Sequence, residues 1–296
     1  TMGKTAYSLI KANSIISSFK PDVVIGTGGY VCGPILMAAA LRNIPTLIQE
    51  QNVIAGITNK ILSRFVDVVA VGYNEAAKSF DKAKQVVYTG NPVRPDVLVD
   101  SRVEGRKHFG LSDDIFTVLI AGGSRGARTI NNAMIDVHKH FQGKDGIKLI
   151  HITGNGEYTS VLEKLGINDG SGLGESSLIL PYLHDMPKAL AATDLAVFRS
   201  GAIGLAELAV RGIPSVLVPY PYAAEDHQTY NARIFVQEGA AHMIVDKVLT
   251  SHDLIGEIEM FMANRELLAQ MGASALHLGK PNAAHDIAEL ALSIAK

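Results

Sequence analysis

The sequence predicts an α/β protein of two Rossmann-like, doubly wound domains, and three observations predict it. One pattern occurs twice. Asp22-Val-Val-Ile-Gly-Thr-Gly-Gly-Tyr-Val-Cys-Gly-Pro34 leads through an apolar run to Arg42-Asn-Ile-Pro45 and Thr46-Leu-Ile48; Asp194-Leu-Ala-Val-Phe-Arg-Ser-Gly-Ala202 leads through a second run to Arg211-Gly-Ile-Pro214 and Ser215-Val-Leu-Val218. Each copy reads as strand, glycine-containing turn, helix and strand, one βαβ unit per half. The strand segments are continuous apolar runs, as parallel strands buried on both faces require. Finally, 296 residues with 47% hydrophobic content suffice for two cores of ordinary domain size.

Taken in order, residues 4–19 read as a helix. Strands follow at 22–26, 45–49, 67–71 and 85–89, with helices at 34–42, 56–65 and 74–80. Gly90-Asn-Pro-Val-Arg-Pro-Asp96 is rich in turn residues, and charged, irregular sequence continues to about 105, so the hinge is placed there. The second series has strands at 116–121, 147–152, 177–180, 194–198, 214–218 and 241–245. Its helices fall at 126–141, 156–165, 185–192, 203–211 and 226–238, with a glycine-rich loop at 166–176. Helices at 251–262, 264–275 and 281–295 close the chain, and the last, carrying Ile287, Leu290, Leu292 and Ile294, is expected to pack back toward the first domain. The expected domains are therefore 1–100, 101–280 and a returning helix at 281–296. The first is expected to be incomplete at its N-terminus, because none of its four strands follows the glycine loop that usually opens such a domain.

A net charge of −2 offers no basic face for nucleic acid. Cys32, the one cysteine, excludes an intrachain disulfide and a thiolate metal site, and reads as a small apolar filler. Val23–Leu41 is uncharged for 19 residues, but Gly26, Gly28, Gly29, Gly33 and Pro34 break a spanning helix there. The chain therefore reads as soluble and cytoplasmic.

Four segments carry candidate chemistry. Gly122-Gly-Ser-Arg-Gly-Ala127 follows a strand and opens a helix, where backbone N–H groups suit a diphosphate; a tight turn without ligand is the alternative. Arg199-Ser-Gly-Ala-Ile-Gly-Leu-Ala-Glu207 repeats that setting. There Ser200 can cap the helix, and Glu207, among apolar neighbours, can accept ribose hydroxyls. Glu225-Asp-His-Gln-Thr-Tyr-Asn231 offers donors and acceptors for sugar hydroxyls at a helix start. Gln49-Glu-Gln-Asn52 and Asn59, with Gly28-Gly-Tyr30 one strand earlier, stand where ligands meet parallel sheets, and Arg94 can grip a phosphate bidentately. No Asp-x-Asp, Gly-x-Ser-x-Gly or Walker motif is present, and the ten histidines show no metal-ligand spacing. No metal or cofactor is expected, and helix ends with arginine must stabilise a leaving diphosphate.

These motifs, in the order Gly28-Gly-Tyr30, Glu50-Gln-Asn52, Thr58-Asn59, Gly90-Asn-Pro-Val-Arg94, Gly122-Gly-Ser124, Arg199-Ser-Gly-Ala202, Glu207 and Asp226-His-Gln-Thr-Tyr-Asn231, resemble the MurG family. These are bacterial N-acetylglucosaminyltransferases of glycosyltransferase family 28. The resemblance runs from about residue 15 to 290 and implies a GT-B fold. It implies inverting transfer of N-acetylglucosamine from UDP-GlcNAc to lipid I, undecaprenyl-diphospho-MurNAc-pentapeptide, forming lipid II for peptidoglycan at the inner face of the plasma membrane. By the same resemblance Arg94, Ser124, Leu183, Ser200, Ala202, Glu207 and Gln228 bind the donor, while Tyr30, Asn52 and Asn59 face the acceptor. The family's opening Gly-x-Gly-Gly-His loop is not contained in these residues, which leaves Glu50 as the candidate acid/base. Arg125, Tyr222 and Cys32 replace a common glutamine, a frequent histidine and a usual serine. The alternatives are a diacylglycerol glycosyltransferase, a UDP-GlcNAc 2-epimerase and a non-catalytic UDP-sugar-binding fragment.

Overall fold

A computed structural model describes residues 2–123 and 126–295. The chain divides into two compact units: one runs up to Pro92 and resumes at Lys280, and the other is Val93–Gly279.

The first unit opens with α1 (Met2–Phe19), β1 (Val24–Gly26), α2 (Cys32–Leu41), β2 (Thr46–Glu50) and α3 (Ile57–Leu62). It continues with β3 (Val68–Val71) and β4 (Val86–Tyr88). Its sheet is wholly parallel in the order β1-β2-β3-β4. Strand alternation sends Ile48, Val69 and Val71 to one face with Leu36 and Phe80, and Leu47, Val68 and Ala70 to the other. The expected helix at 74–80 is a 3-10 turn, Asn74–Ser79.

The second unit begins with α4 (Pro95–Val99) and α5 (Arg102–His108), where irregular sequence was expected. Pro95 opens α4 at a position where a missing N–H costs nothing. Ser101 and Glu104 form a reciprocal capping box on α5. Gly105 of α5 lies against the later helix Met186–Ala192, whose Lys188 carbonyl oxygen would stand 2.5 Å from an added Cβ. Residues 93–100 thus go with the second unit.

Its main series is β5 (Phe116–Ala121), α6 (Arg128–Phe141), β6 (Ile147–Ile152), α7 (Tyr158–Leu165), β7 (Ser177–Leu180) and α8 (Met186–Ala192). Then come β8 (Leu195–Phe198), α9 (Ala202–Arg211), β9 (Ser215–Leu217), α10 (His227–Gln237) and β10 (Ala241–Met243). The helices α11 (Ser251–Ala263), α12 (Arg265–Leu278) and α13 (Ala283–Ile294) follow. The parallel sheet has the order β10-β9-β8-β5-β6-β7. Its direction of winding reverses between β5 and β8, so a crevice opens at their C-terminal ends. Helix α13 returns to the first unit, burying Ile287 and Ala291 against Leu47, Val68 and Ala70. Leu292, counted among its packing residues from the sequence, is 73% exposed.

The repeated Arg-x-Ile-Pro has one structural cause. Asn43 (φ +55) and Gly212 (φ +62) end α2 and α9 in the left-handed region. The next N–H, of Ile44 or Ile213, donates to the carbonyl five residues back, Ala39 or Leu208, at 3.0 Å in both cases. The proline carbonyl then accepts from the neighbouring strand, Val24 N–H onto Pro45 and Ala196 N–H onto Pro214. No helix among the described residues is long and apolar enough to cross a membrane, and Val23–Leu41 becomes β1, a glycine turn and α2.

Candidate active site

A cavity of about 900 Å³ lies at the switch point of the second sheet. Its floor is Gly122, Gly123, Gly126 and Ala127 after β5, Phe198, Arg199 and Gly201 at the end of β8 and beyond it, and Tyr220 to Tyr222 after β9. Gly123 (φ +87) and Gly126 (φ +77) hold a conformation that side chains resist, and a Cβ on Gly126 would lie 1.9 Å from the Thr153 carbonyl oxygen. Helices α6 and α9 begin at this floor, from Ala127 and Gly201, and neither has a side-chain cap on its first-turn amides. Those amides present partial positive charge that an anion can satisfy. Ser124, expected to hold a phosphate, and Arg125 lie outside the described residues.

Ser200 does not cap α9. It is buried, and its hydroxyl donates to the Gln228 carbonyl at 2.8 Å, while Asn231 Nδ2 donates to the Ser200 carbonyl at 3.2 Å. The cap residue is Gly201. Ser200 thereby ties α9 to α10. The Gln228 side chain lines the cavity, and its Oε1 accepts from the Tyr220 N–H at 2.9 Å. Glu225 (φ +53) and Asp226 (φ +54) both adopt left-handed backbone just before α10, a local strain of the kind that collects at ligand sites. Ala202 is buried at the start of α9, and Leu183 is half-buried in the segment after β7; neither lines the cavity.

Glu207 forms part of the wall and is 8% exposed. Its Oε1 lies 3.1 Å from Arg94 Nε, so Arg94 and Glu207, 113 residues apart, meet within the second unit. Burial raises the Glu207 carboxyl pKa above its ordinary value, and Arg94 pulls it back down. A second pair was not foreseen from the sequence. Arg199 NH1 lies 2.5 Å from Asp246 Oδ1 and 3.0 Å from the carbonyls of Val218 and Pro219. Thr129, in the first turn of α6, donates to Asp246 Oδ2 at 3.1 Å. One carboxylate after β10 thus fixes both the arginine after β8 and the helix after β5. An arginine followed by Ser-Gly at a strand end was the available signal; its partner, 47 residues later, had none.

In the first unit, Glu50 ends β2 and is 2% exposed. Its Oε1 accepts from the Asn52 N–H at 3.0 Å, and its Oε2 from the Gly56 N–H at 3.1 Å and Asn59 Nδ2 at 2.8 Å. Glu50, Asn52 and Asn59 therefore come together, but as a loop organised around a carboxylate whose two oxygens are engaged. That is a poor arrangement for an acid/base, which must reach a substrate proton. Tyr30 stands apart, 86% exposed on an apolar groove of about 850 Å³ formed by α1, α2 and α3. Among the described residues no group of three or more His, Cys, Asp or Glu is placed to hold a metal ion.

The glycosyltransferase family 28 C-terminal domain matches residues 117–290, and the glycosyltransferase family 28 N-terminal domain matches residues 2–71. A Thermoanaerobacter sp. (strain X514) protein is 45% identical over 294 residues, covering 99% of this chain and 80% of the relative. It is named UDP-N-acetylglucosamine--N-acetylmuramyl-(pentapeptide) pyrophosphoryl-undecaprenol N-acetylglucosamine transferase. A protein of the same name from Desulforamulus reducens is 46% identical over 278 residues, 94% of this chain and 75% of its own. The crystal structure of Acinetobacter baumannii MurG matches with a TM-score of 0.78 at 30% identity, over 99% of this chain and 81% of that one. The two parallel-sheet units are those of the GT-B fold. The UDP-GlcNAc 2-epimerase from Neisseria meningitidis bound to UDP-GlcNAc, at 16% identity and a TM-score of 0.68, covers 98% of this chain and 81% of its own and shares the fold alone.

Proposed function

The chain belongs to glycosyltransferase family 28, and from that premise we propose that it transfers N-acetylglucosamine from UDP-GlcNAc to lipid I, with inversion at the anomeric carbon, forming lipid II. The cavity at the β5–β8 switch point carries this reading. It combines two uncapped helix starts, a glycine turn open to close approach, and a buried carboxylate with a displaceable partner.

In this reading the donor diphosphate rests on the first turns of α6 and α9, over Ser124 and the Ser200–Ala202 backbone, and its ribose hydroxyls donate to Glu207. Arg94, held on Glu207 in this structure, turns toward the diphosphate when the donor arrives. Gln228 offers its Nε2 amide to the sugar, because its Oε1 is occupied by Tyr220. The backbone near Leu183 reads the uracil. The acceptor's 4-hydroxyl oxygen attacks the anomeric carbon from the face opposite UDP. Its proton passes to water as the bond from that carbon to the UDP oxygen breaks and UDP departs. Charge growing on the leaving diphosphate is stabilised by the helix amides and Arg94. Glu50 is assigned to holding the acceptor-side loop that bears Asn52 and Asn59, with Tyr30 on the neighbouring apolar groove. That groove, beside an acceptor carrying a polyprenyl chain, supports a peripheral place on the inner face of the plasma membrane.

Titrating UDP into Glu207→Ala tests the ribose contact. Losing a buried charged acceptor for two hydroxyls is expected to cost about 2–3 kcal/mol, or roughly 30- to 150-fold in affinity. Unchanged affinity removes the assignment. Release of ManNAc from UDP-GlcNAc without any lipid acceptor would replace the transferase by an epimerase.

A further inference from the structure

The core of the second unit contains a polar chain that the transfer reaction does not use. Asn131 of α6 donates through Nδ2 to the Thr153 carbonyl at 2.9 Å. Its Oδ1 lies 3.0 Å from His151 Nε2 on β6. His151 Nδ1 lies 3.1 Å from His138 Nε2, and His138 Nδ1 lies 2.9 Å from the Ser177 hydroxyl on β7. Every member is 0% or 1% exposed, and the imidazoles stack at 5.3 Å between centroids.

The proton positions follow from one end. Asn131 uses its amide hydrogens on Thr153, so its oxygen must accept, and His151 carries its hydrogen on Nε2. His151 Nδ1 is then a lone pair, which requires the hydrogen of His138 on Nε2. His138 Nδ1 in turn accepts from the Ser177 hydroxyl. The chain thus has one direction, from Ser177 to Thr153, with both rings neutral. Burial agrees, since it pushes His138 down to about 4 and His151 well below its usual value.

The receiving end matters for the donor site. The Thr153 carbonyl is the surface on which Gly126 rests, leaving no room for a Cβ. Gly126 closes the phosphate-side turn through its N–H to the Gly123 carbonyl at 2.9 Å. Glycine has wide conformational freedom, so Gly126 needs an outside reference. Asn131 supplies it twice over: its side chain aims the Thr153 carbonyl, and its own N–H donates to the Ala127 carbonyl at the turn's far end, at 2.8 Å. We propose that Asn131 and His151 are positioning residues for donor binding, holding Gly126 and the start of α6 in the place that receives the diphosphate. The inference rests on the donor reading above.

The test compares UDP with uridine, which lacks the diphosphate, by calorimetric titration of the full chain. Asn131→Asp keeps the shape but turns an oxygen toward the Thr153 carbonyl. It is expected to weaken UDP about tenfold while leaving uridine within twofold. Val137→Ala, a buried cavity variant on the same helix, controls for general loosening and is expected to leave the UDP-to-uridine ratio unchanged. If Asn131→Asp does not fold, His151→Gln and His151→Leu carry the test. Gln retains a donor toward Asn131 and is expected to preserve the ratio, whereas Leu lowers it about tenfold. An unchanged ratio in Asn131→Asp or in His151→Leu, or an equal loss in Val137→Ala, overturns the proposal. Absence of UDP binding by the unaltered protein overturns the donor reading itself and this inference with it.

Discussion

The two sheets treat a buried glutamate in opposite ways. Glu50, at the end of β2, receives hydrogen bonds from Asn52, Gly56 and Asn59, all supplied by the loop and helix that follow it. Glu207, in the second turn of α9, receives one hydrogen bond among the described residues, from Arg94, whose side chain is 51% exposed. Both carboxylates are out of water, at 2% and 8% exposure. The first has its hydrogen bonds settled by folding. The second has one arginine partner and faces a cavity, so less of its burial cost is offset by hydrogen bonds within the fold. A buried acid therefore reads as structural or functional by who its partners are, and residue type alone does not decide.

The largest expected effect is at Glu50. Glu50→Ala strips an acceptor from two backbone N–H groups and an amide, which is expected to destabilise the first unit by about 3–5 kcal/mol. Calorimetry would show its unfolding transition shifted well down, with UDP affinity in the second unit unchanged. A loss under about 1 kcal/mol would break the contrast, because Glu50 would then be as lightly held as Glu207.

Acid separates the units next. His138 ionises near 6.5 in the unfolded chain and at about 4 in the fold. Between those values the unfolded state binds a proton that the folded state refuses, so stability falls as pH falls. The second unit is expected to lose about 3 kcal/mol from pH 6.5 to 4 through His138 alone, and more through His151. In the first unit the one histidine, His285, is exposed. There the lowered carboxyl of Asp67, partnered by Lys84 and Thr46, gives up its contribution only below its usual value of 3.8. Thermal unfolding followed across this range should move the second transition first. Parallel movement of both transitions would remove the histidine pair from the account.

Much of the architecture was legible because parallel strands leave an apolar signature and helix ends leave a chemical one. The segments Val68–Val71 and Phe116–Ala121 are buried throughout, as their sequences require. The Arg-x-Ile-Pro repeat encoded both a helix stop and a strand start. The short helices α4 and α5 escaped because their charged surfaces mask the Pro95 start and the Ser101–Glu104 box, which are local and brief. At the site, single-loop features such as the glycine turn could be read from the sequence. Pairings could not: Arg94 with Glu207, Arg199 with Asp246 and His138 with His151 join residues from different elements, and linear spacing does not encode them. Glu50 illustrates the same limit. Its place at a strand end was visible, but the three donors that occupy it were not.

The smallest expected effect lies at Glu207, where smallness is the point. Burial is the leading influence on its carboxyl and raises its pKa, with Arg94 only partly offsetting it. A raised folded value means the fold binds the proton more tightly than the unfolded chain does. The group's contribution is thus full in acid and is lost as pH rises through the folded value. At neutral pH the charge is a net burden, and the exposed side of Arg94 weakens the compensating pair. Glu207→Gln, which removes the charge and keeps the shape, is expected to change unfolding stability by less than about 1 kcal/mol, in the stabilising direction. The same variant should lose UDP affinity, because a Gln oxygen is a weaker acceptor than a carboxylate for ribose hydroxyls. Stability retained while affinity falls would mark Glu207 as held in readiness for a ligand. Stability and affinity falling together would place it beside Glu50, as a carboxylate the fold needs for itself.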